Sequence, residues 1–87
     1  MYDNSGMEKQ LDWRDYIVCN PKILVGKPTI KGTRLSVEFI LRLFAAGWPL
    51  QDVLDEYLIN PDQVRAVFEY AHDLAEEELV YALPSTR

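Results

Sequence analysis

Residues 60–75 read Asn-Pro-Asp-Gln-Val-Arg-Ala-Val-Phe-Glu-Tyr-Ala-His-Asp-Leu-Ala and carry the clearest helix signal in the chain. Asn60 suits a helix N-cap, proline is acceptable at the next position, and Gln63 stands three residues after the cap, which is the spacing of a capping box. Apolar residues then recur at helical spacing, namely Val64, Val67, Phe68, Ala71, Leu74 and Ala75. The pattern predicts an amphipathic helix that ends near residue 79.

Two further helices are predicted before this one. The first starts at the N-cap Ser36, has Glu38 in its first turn, where the helix dipole favours an acid, and stops at Gly47. It should be the most buried helix, because its apolar arc is wide and includes Val37, Phe39, Ile40, Leu41, Leu43 and Phe44. The second is about two turns long. It begins near Pro49, taken as a first helical position, and places on one face Leu50, Val53, Leu54 and Tyr57.

The segment before the helices favours extended structure. Residues 13–18 read Trp-Arg-Asp-Tyr-Ile-Val and suit a short strand, and Asn20-Pro21 marks a turn. Between residues 22 and 37, Gly26, Pro28 and Gly32 oppose a helix, so we predict a compact β-hairpin or a pair of β-turns there. The predicted fold is mainly α, with a short N-terminal β-hairpin followed by a three-helix unit. Such a unit is either a helix-turn-helix or a plain bundle.

The length of the chain limits it to one domain. Its 87 residues divide into a polar leader (1–12), a single helical domain with an N-terminal β element (13–79) and a C-terminal tail (80–87). The apolar share of 48% is typical of a globular protein. A domain this small buries only roughly 60% of its unfolded surface, so we expect a homodimer, which would bury more.

The cellular compartment is predicted from absences in the sequence. Cys19 is the single cysteine, so it can form neither an internal disulfide nor a thiol metal site, and we expect a small, partly buried hydrophobe. The first residues lack the apolar core of a signal peptide, and no apolar run approaches the roughly 18 residues of a membrane span. We therefore expect a cytoplasmic protein without membrane contact.

The charges divide the chain into two unlike halves. Residues 1–42 carry seven basic and five acidic side chains, whereas residues 43–87 carry two basic and nine acidic ones. The division suggests two faces with different partners, the alternative being an ordinary solvated surface. Within residues 20–42 the only acid is Glu38, against five basic side chains, which favours phosphate contact there.

Several motifs occur together along the chain. They are Asn20-Pro21-Lys22-Ile23, the run Gly-Lys-Pro-Thr-Ile-Lys-Gly-Thr-Arg-Leu-Ser-Val of residues 26–37, Gly47-Trp48, Tyr57, Val64-Arg65 and Tyr70-Ala71. Together they resemble the family called domain of unknown function 433 over roughly residues 16–75, and residues 26–34 are the most specific part. The resemblance implies a short β element before a homeodomain-like helical unit. It also implies an antitoxin that pairs with a PIN-like, metal-dependent ribonuclease toxin.

The motif has both a structural and a functional interpretation. Structurally, Gly26 and Gly32 suit positions with positive φ or with close approach of another chain, and Pro28 stiffens the turn. Thr33 and Arg34 would tie the loop to a carboxylate or to a helix end through hydrogen bonds. Functionally, a basic loop contacts DNA phosphates through Lys27, Lys31 and Arg34. A recognition helix starting at residue 61 is a poor base reader, since only Gln63 and Arg65 could reach base edges and Asp62 would face phosphates.

The last helix ends in acids. These acids, each at a cost of ~0.3–1 kcal/mol, oppose the helix dipole, and a basic partner such as a ribonuclease surface would offset that cost. They are Glu69, Asp73, Glu76, Glu77 and Glu78. The apolar residues that follow would lie in a groove of the toxin or add a strand to it, or else pack on the domain or on a second copy. The candidate toxin contacts are Glu76, Glu77, Leu79, Val80, Tyr81 and Leu83.

Enzymatic functions are not supported by the residues present. His72 is the only histidine, Asp73 is not expected to face it, and no base–nucleophile pair is apparent. Carboxylates on the second helix, at Asp52, Asp55 and Glu56, fit a solvated face better than a metal site. We therefore expect no enzyme, no metal and no cofactor. The expected function is an antitoxin-like protein that neutralises its toxin by occlusion, with repression of its own operon as a second role. The alternatives are a free-standing helix-turn-helix regulator and a structural homodimer.

Overall fold

A computed structural model describes the backbone of residues 11–82 and the side chains of residues 11–77. Two strands precede three α-helices. The strands are β1 (Ile17–Cys19) and β2 (Pro28–Ile30), and the helices are α1 (Val37–Ala45), α2 (Leu50–Tyr57) and α3 (Pro61–Ala82). A single 3₁₀ turn lies at Trp13–Asp15, and Leu24–Gly26 forms a turn with similar hydrogen bonds but left-handed backbone angles. The prediction of a mainly α fold with an N-terminal β-hairpin is confirmed.

The hairpin pairs β1 with β2 in antiparallel register, with Ile17 opposite Ile30 and Cys19 opposite Pro28. It therefore does not lie within residues 22–37, as predicted, but reaches back to residue 17. The prediction of a strand over all of residues 13–18 is also wrong. The Asp12 side chain accepts a hydrogen bond from the Arg14 backbone N–H and caps a 3₁₀ turn at Trp13–Asp15 instead.

The helix starts follow the predicted caps. Ser36 Oγ accepts a hydrogen bond of 2.9 Å from the Phe39 backbone N–H at the start of α1. At α3, Asn60 and Gln63 form the capping box, because each side-chain oxygen accepts a 2.8 Å bond from the other residue's backbone N–H. Pro49 is the residue before α2 and not its first residue, and α3 continues to Ala82, slightly beyond the predicted end.

The core lies between the hairpin and the three helices. Its fully buried apolar members are Ile30, Ile40, Val53, Ala66 and Val67. Aromatic contacts close the edge between α1 and α3, where the rings of Phe44 and Phe68 have centroids 5.2 Å apart. Phe68 and Leu74 were predicted on the buried face, yet they are 43% and 44% exposed. The buried stripe of α3 runs along Val64, Ala66 and Val67, which turns the Phe68 side of the helix outward.

Two observations concern the compartment. Cys19 is exposed and not partly buried as predicted, because it ends a three-residue strand whose other end, at Ile17, is the end that enters the core. None of the helices within residues 11–82 combines the length and the apolar character that a membrane span requires.

Candidate functional site

The first part of the site is a left-handed turn between the two strands. Leu24, Val25 and Gly26 have φ of 52°, 56° and 84°, and the turn closes by two bonds of 3.1 Å, from the Gly26 N–H to the Ile23 carbonyl and from the Lys27 N–H to the Leu24 carbonyl. A left-handed L-residue costs roughly 1–2 kcal/mol, and β-branching makes Val25 a particular outlier. Val25 is also 93% exposed, so no burial of its side chain offsets that strain.

The second turn of the motif is held by its own backbone. The Thr33 hydroxyl donates to the Ile30 carbonyl at 2.8 Å and accepts from the Leu35 N–H at 3.0 Å. The positive φ predicted for Gly26 and Gly32 is confirmed at 84° and 81°. Thr33 and Arg34 were predicted to tie the loop to a carboxylate or to a helix end, and the carboxylate alternative is not found. Thr33 bonds backbone atoms, and among the described residues Arg34 pairs with no carboxylate.

A basic cleft opens between this loop and the start of α1, with a volume of about 400 Å³. Its lining consists of Leu24, Val25, Lys27, Arg34, Ser36, Glu38, Phe39 and Arg42. Arg42 and Glu38 bind each other through bonds of 2.8 and 3.1 Å, and this contact lowers the pKa of Glu38 and raises that of Arg42. The structure thus brings together two of the predicted phosphate contacts, Lys27 and Arg34. The third, Lys31, is exposed on the second turn and does not line the cleft.

An apolar groove of about 350 Å³ adjoins the basic cleft, since both are lined by Lys27, Ser36 and Glu38. The remaining lining of the groove is Pro28, Val37, Leu41, Tyr70 and Leu74. Burial raises the pKa of the Tyr70 hydroxyl. Sequence reasoning missed this groove because its walls come from β2, α1 and α3, and no local pattern joins them.

The start of α3 offers little to DNA bases. Gln63, a predicted base contact, uses its side-chain oxygen to accept from the Asn60 N–H in the capping box. Arg65 is exposed, but like Asp62 it takes part in a further interaction and is not without a partner. Neither Gln63 nor Arg65 lines the basic cleft.

The other end of α3 projects from the core. Every side chain from His72 to Glu77 is exposed. At the base of this projection, Trp13 Nε1 donates a 2.8 Å hydrogen bond to Asp73, which lowers the pKa of that carboxyl group. The Trp13 ring also meets Tyr70 edge to face at 4.7 Å. The N-terminal 3₁₀ turn therefore holds α3 in place beyond its buried part.

His72 and Asp73 are closer than the sequence indicated. His72 Nδ1 lies 3.3 Å from Asp73 Oδ1, so the prediction that Asp73 does not face His72 is wrong. Neighbouring side chains on the rim of an exposed helix can rotate toward each other. Hydrogen bonding to Asp73 and the charge of Glu76 raise the pKa of His72. Ligand atoms of His72, Asp73 and Glu76 lie within 4.8 Å of one another, but all three residues are exposed and Asp73 already binds Trp13. We assign no metal to them.

The predicted toxin contacts lie along or beyond this projection. Glu76 and Glu77 are exposed on α3. Leu79, Val80 and Tyr81 continue the same helix, so these residues do not form the strand that was one predicted mode of binding, whereas a helix in a groove fits. Leu83 lies outside the described residues. We call residues 76–82 the acidic helix end.

Comparison with known proteins gives one match. The sequence model of the family described as "Protein of unknown function (DUF433)" matches residues 17–71, which include both turns of the motif and most of the helical unit. No curated protein and no solved structure matches the chain.

Proposed function

This chain belongs to the DUF433 family, and we propose that it is an antitoxin-like binding protein that neutralises a PIN-like ribonuclease toxin by forming a complex with it. The motif resemblance implies this role. The structural observation that supports it best is the acidic helix end: α3 continues to Ala82, whereas Val67 is the last buried side chain among the helix residues 61–77 whose burial the structure describes.

Folding alone does not account for the acidic helix end. Glu76 and Glu77 lie near the negative end of the helix dipole, where each acid costs about 0.3–1 kcal/mol. Helical stability in proteins comes mostly from packing of an apolar face, and the side chains from His72 to Glu77 are exposed. A basic partner that covers the helix end would supply both the opposite charge and the packing.

A ribonuclease surface has the required chemistry. It must attract the phosphates of RNA and therefore presents Lys and Arg. Carboxylates at Glu76 and Glu77 would compete with RNA for these cations, while Leu79, Val80 and Tyr81 would bury apolar area beside them. Inhibition would then occur by occlusion, with association that is steered by charge and weakened by salt.

The test uses the full chain co-expressed with the protein encoded by the adjacent reading frame, followed by an RNA-degradation assay on that protein with and without this chain. We expect a stable complex in which RNA cleavage stops. The double variant Glu76→Lys with Glu77→Lys should weaken inhibition by about tenfold or more, since two attractive contacts become repulsive.

The matched control is Asp52→Lys with Asp55→Lys, which changes the net charge equally on exposed positions of α2. It should inhibit like the wild type. An equal loss of toxin inhibition in both double variants would mean that inhibition depends only on the net charge of the chain. That result would refute the acidic helix end as the toxin contact. Absence of any complex would refute the antitoxin function.

A DNA-binding regulator is the second candidate, because Lys27 and Arg34 converge on the basic cleft and no ion pair within residues 11–77 engages either one. If they contact phosphates, Lys27→Ala with Arg34→Ala should weaken binding to the chain's own promoter and reduce the salt slope by about 2. Lys22→Ala, an exposed cation outside the cleft, is the control. An unchanged salt slope in the double variant would exclude this interface.

A further inference from the structure

We propose that, in the absence of toxin, the joined basic cleft and apolar groove receive the acidic helix end of a second copy of this chain. The exchange is reciprocal and gives a closed dimer. The dimer can be tested on this chain alone. Only its regulatory consequence, that toxin and second copy compete for one segment, rests on the proposed function.

Several apolar side chains of the receiving surface are exposed in the part of the chain that the structure describes. Leu24 and Val25 at the cleft are 40% and 93% exposed, and Leu74 on the groove wall is 44% exposed. These residues surround two adjoining cavities of about 400 and 350 Å³. Two cations, Lys27 and Arg34, stand at the cleft and form no salt bridge with a carboxylate among the described residues. Glu38, the carboxylate that lines the same cleft, forms its salt bridge with Arg42, and Lys27 acts on it only through its charge. The surface is therefore complementary to a segment that has acidic groups at one end and apolar groups at the other.

The acidic helix end has this order of residues. Its sequence is Glu-Glu-Glu-Leu-Val-Tyr-Ala, in which three acids are followed by four apolar or aromatic residues. It is helical, and a helix in an apolar groove is a common mode of peptide recognition. Acids near Lys27 and Arg34 would place the apolar turn along the groove wall formed by Leu41 and Leu74.

The occupant must come from another molecule. Tyr70 and Leu74 form one wall of the groove and belong to the same continuous helix as the acidic helix end. An α-helix advances about 1.5 Å per residue, so the segment after Leu74 leaves the groove in a straight line and does not fold back into it.

Reciprocal exchange explains why the assembly closes. Each copy offers one receiving surface and one helix end, so a two-fold axis lets both contacts form at once. The basic first half of each chain then meets the acidic second half of the other, in agreement with the uneven charge of the sequence. Both contacts also bury surface that an 87-residue domain leaves open.

Sedimentation velocity on the full chain, over a range of concentrations, tests the dimer. We expect a dimer for the wild type. Lys27→Glu with Arg34→Glu, and separately Glu76→Lys with Glu77→Lys, should each raise the dissociation constant by about tenfold or more. Combining all four substitutions in one chain restores opposite charges across the interface and should restore the dimer. Circular dichroism confirms that each variant is folded.

Asp52→Lys with Asp55→Lys should remain dimeric, because these residues lie on α2 and line neither the basic cleft nor the apolar groove. A monomeric wild type would overturn the proposal. So would a four-substitution chain that stays monomeric although folded, since the charges would then not meet.

The toxin arm separates this inference from the proposed function. Lys27→Glu with Arg34→Glu should weaken the dimer by the same factor of about tenfold or more and still inhibit the toxin, because the acidic helix end is intact. Adding toxin to the wild-type dimer should convert it to one copy bound per toxin. Toxin that binds the intact dimer without opening it would overturn the competition. A dimer that behaves as expected but inhibits no nuclease would overturn the proposed function alone.

Discussion

Replacing Gln63 by alanine separates a capping role from a base-reading role for this residue. The substitution removes the 2.8 Å bond from the Asn60 N–H to the Gln63 side chain but keeps the bond from the Gln63 N–H to Asn60. A hydrogen bond contributes roughly 0.5–1.5 kcal/mol net, and the exposed N–H regains water, so the lower part of that range applies. Alanine is also the better helix former by a few tenths of a kcal/mol. We expect a net loss of about 0.2–0.5 kcal/mol, which lowers the midpoint of thermal unfolding by about 1–4 °C.

Thermal unfolding and fluorescence anisotropy with promoter DNA measure the two roles in parallel. Asn60→Ala removes the other bond of the box and should cost about 1 kcal/mol, a typical N-cap effect. Gln51→Ala, which loses only an exposed bond to Asp55 on α2, is the control for DNA affinity. If Gln63 read a base, its loss would reduce sequence discrimination by about 1–3 kcal/mol. A Gln63→Ala protein that keeps its thermal midpoint but loses DNA affinity would refute the capping interpretation.

Three further predictions concern stability and ionisation. Ile40→Ala empties a fully buried position and should cost about 2–5 kcal/mol in urea unfolding, whereas Leu58→Ala, at 88% exposure, should change stability by less than about 0.5 kcal/mol. Val25→Gly removes roughly 1–2 kcal/mol of left-handed backbone strain but adds about 0.5–1 kcal/mol of unfolded-state entropy from glycine, so the variant should unfold at a slightly higher urea concentration. A clear loss of stability in urea would contradict the strain at φ 56°. Trp13→Phe removes the bond to Asp73, so NMR titration should show the Asp73 pKa returning toward 3.8. Because the pKa of Asp73 is depressed in the folded protein, the ionised carboxylate contributes to folding stability above pH 3.8, and this stability is lost as the pH falls through the native pKa. An Asp73 pKa that does not change in the Trp13→Phe variant would contradict the bond.

Local chemistry explains which features the sequence predicted correctly. Ser36, Asn60 and Gln63 each satisfy a backbone N–H within three residues, so their type and spacing suffice to locate helix starts. Gly26 and Gly32 likewise mark positive φ because only glycine adopts it without a steric penalty. These features established the order of the elements and the two turns of the motif.

Features that join distant parts of the chain, or that oppose local preference, were not predictable. The bond between Trp13 and Asp73 spans sixty residues, and nothing near either residue indicates the other. The groove needs Leu41 and Tyr70 from different helices to face each other. Val25 could not be predicted for a different reason: its local preference as a β-branched residue disfavours the left-handed turn that it adopts.

The acidic helix end links the stability of this chain to its binding. A short helical segment is marginal on propensity alone, and acids at its carboxyl end weaken it further. Any partner that covers residues 76–82 therefore stabilises the helix in addition to binding it. Part of the interaction free energy offsets the entropy lost when these residues are ordered, and the affinity is lower by that amount. In the proposed toxin complex and in the proposed dimer, the helix end would gain the same two things, opposite charge and apolar cover, so toxin and second copy would compete on similar terms. Whichever partner buries more of residues 79–82 beside its cations should hold the segment, since exposed charge pairs alone contribute at most about 1 kcal/mol each.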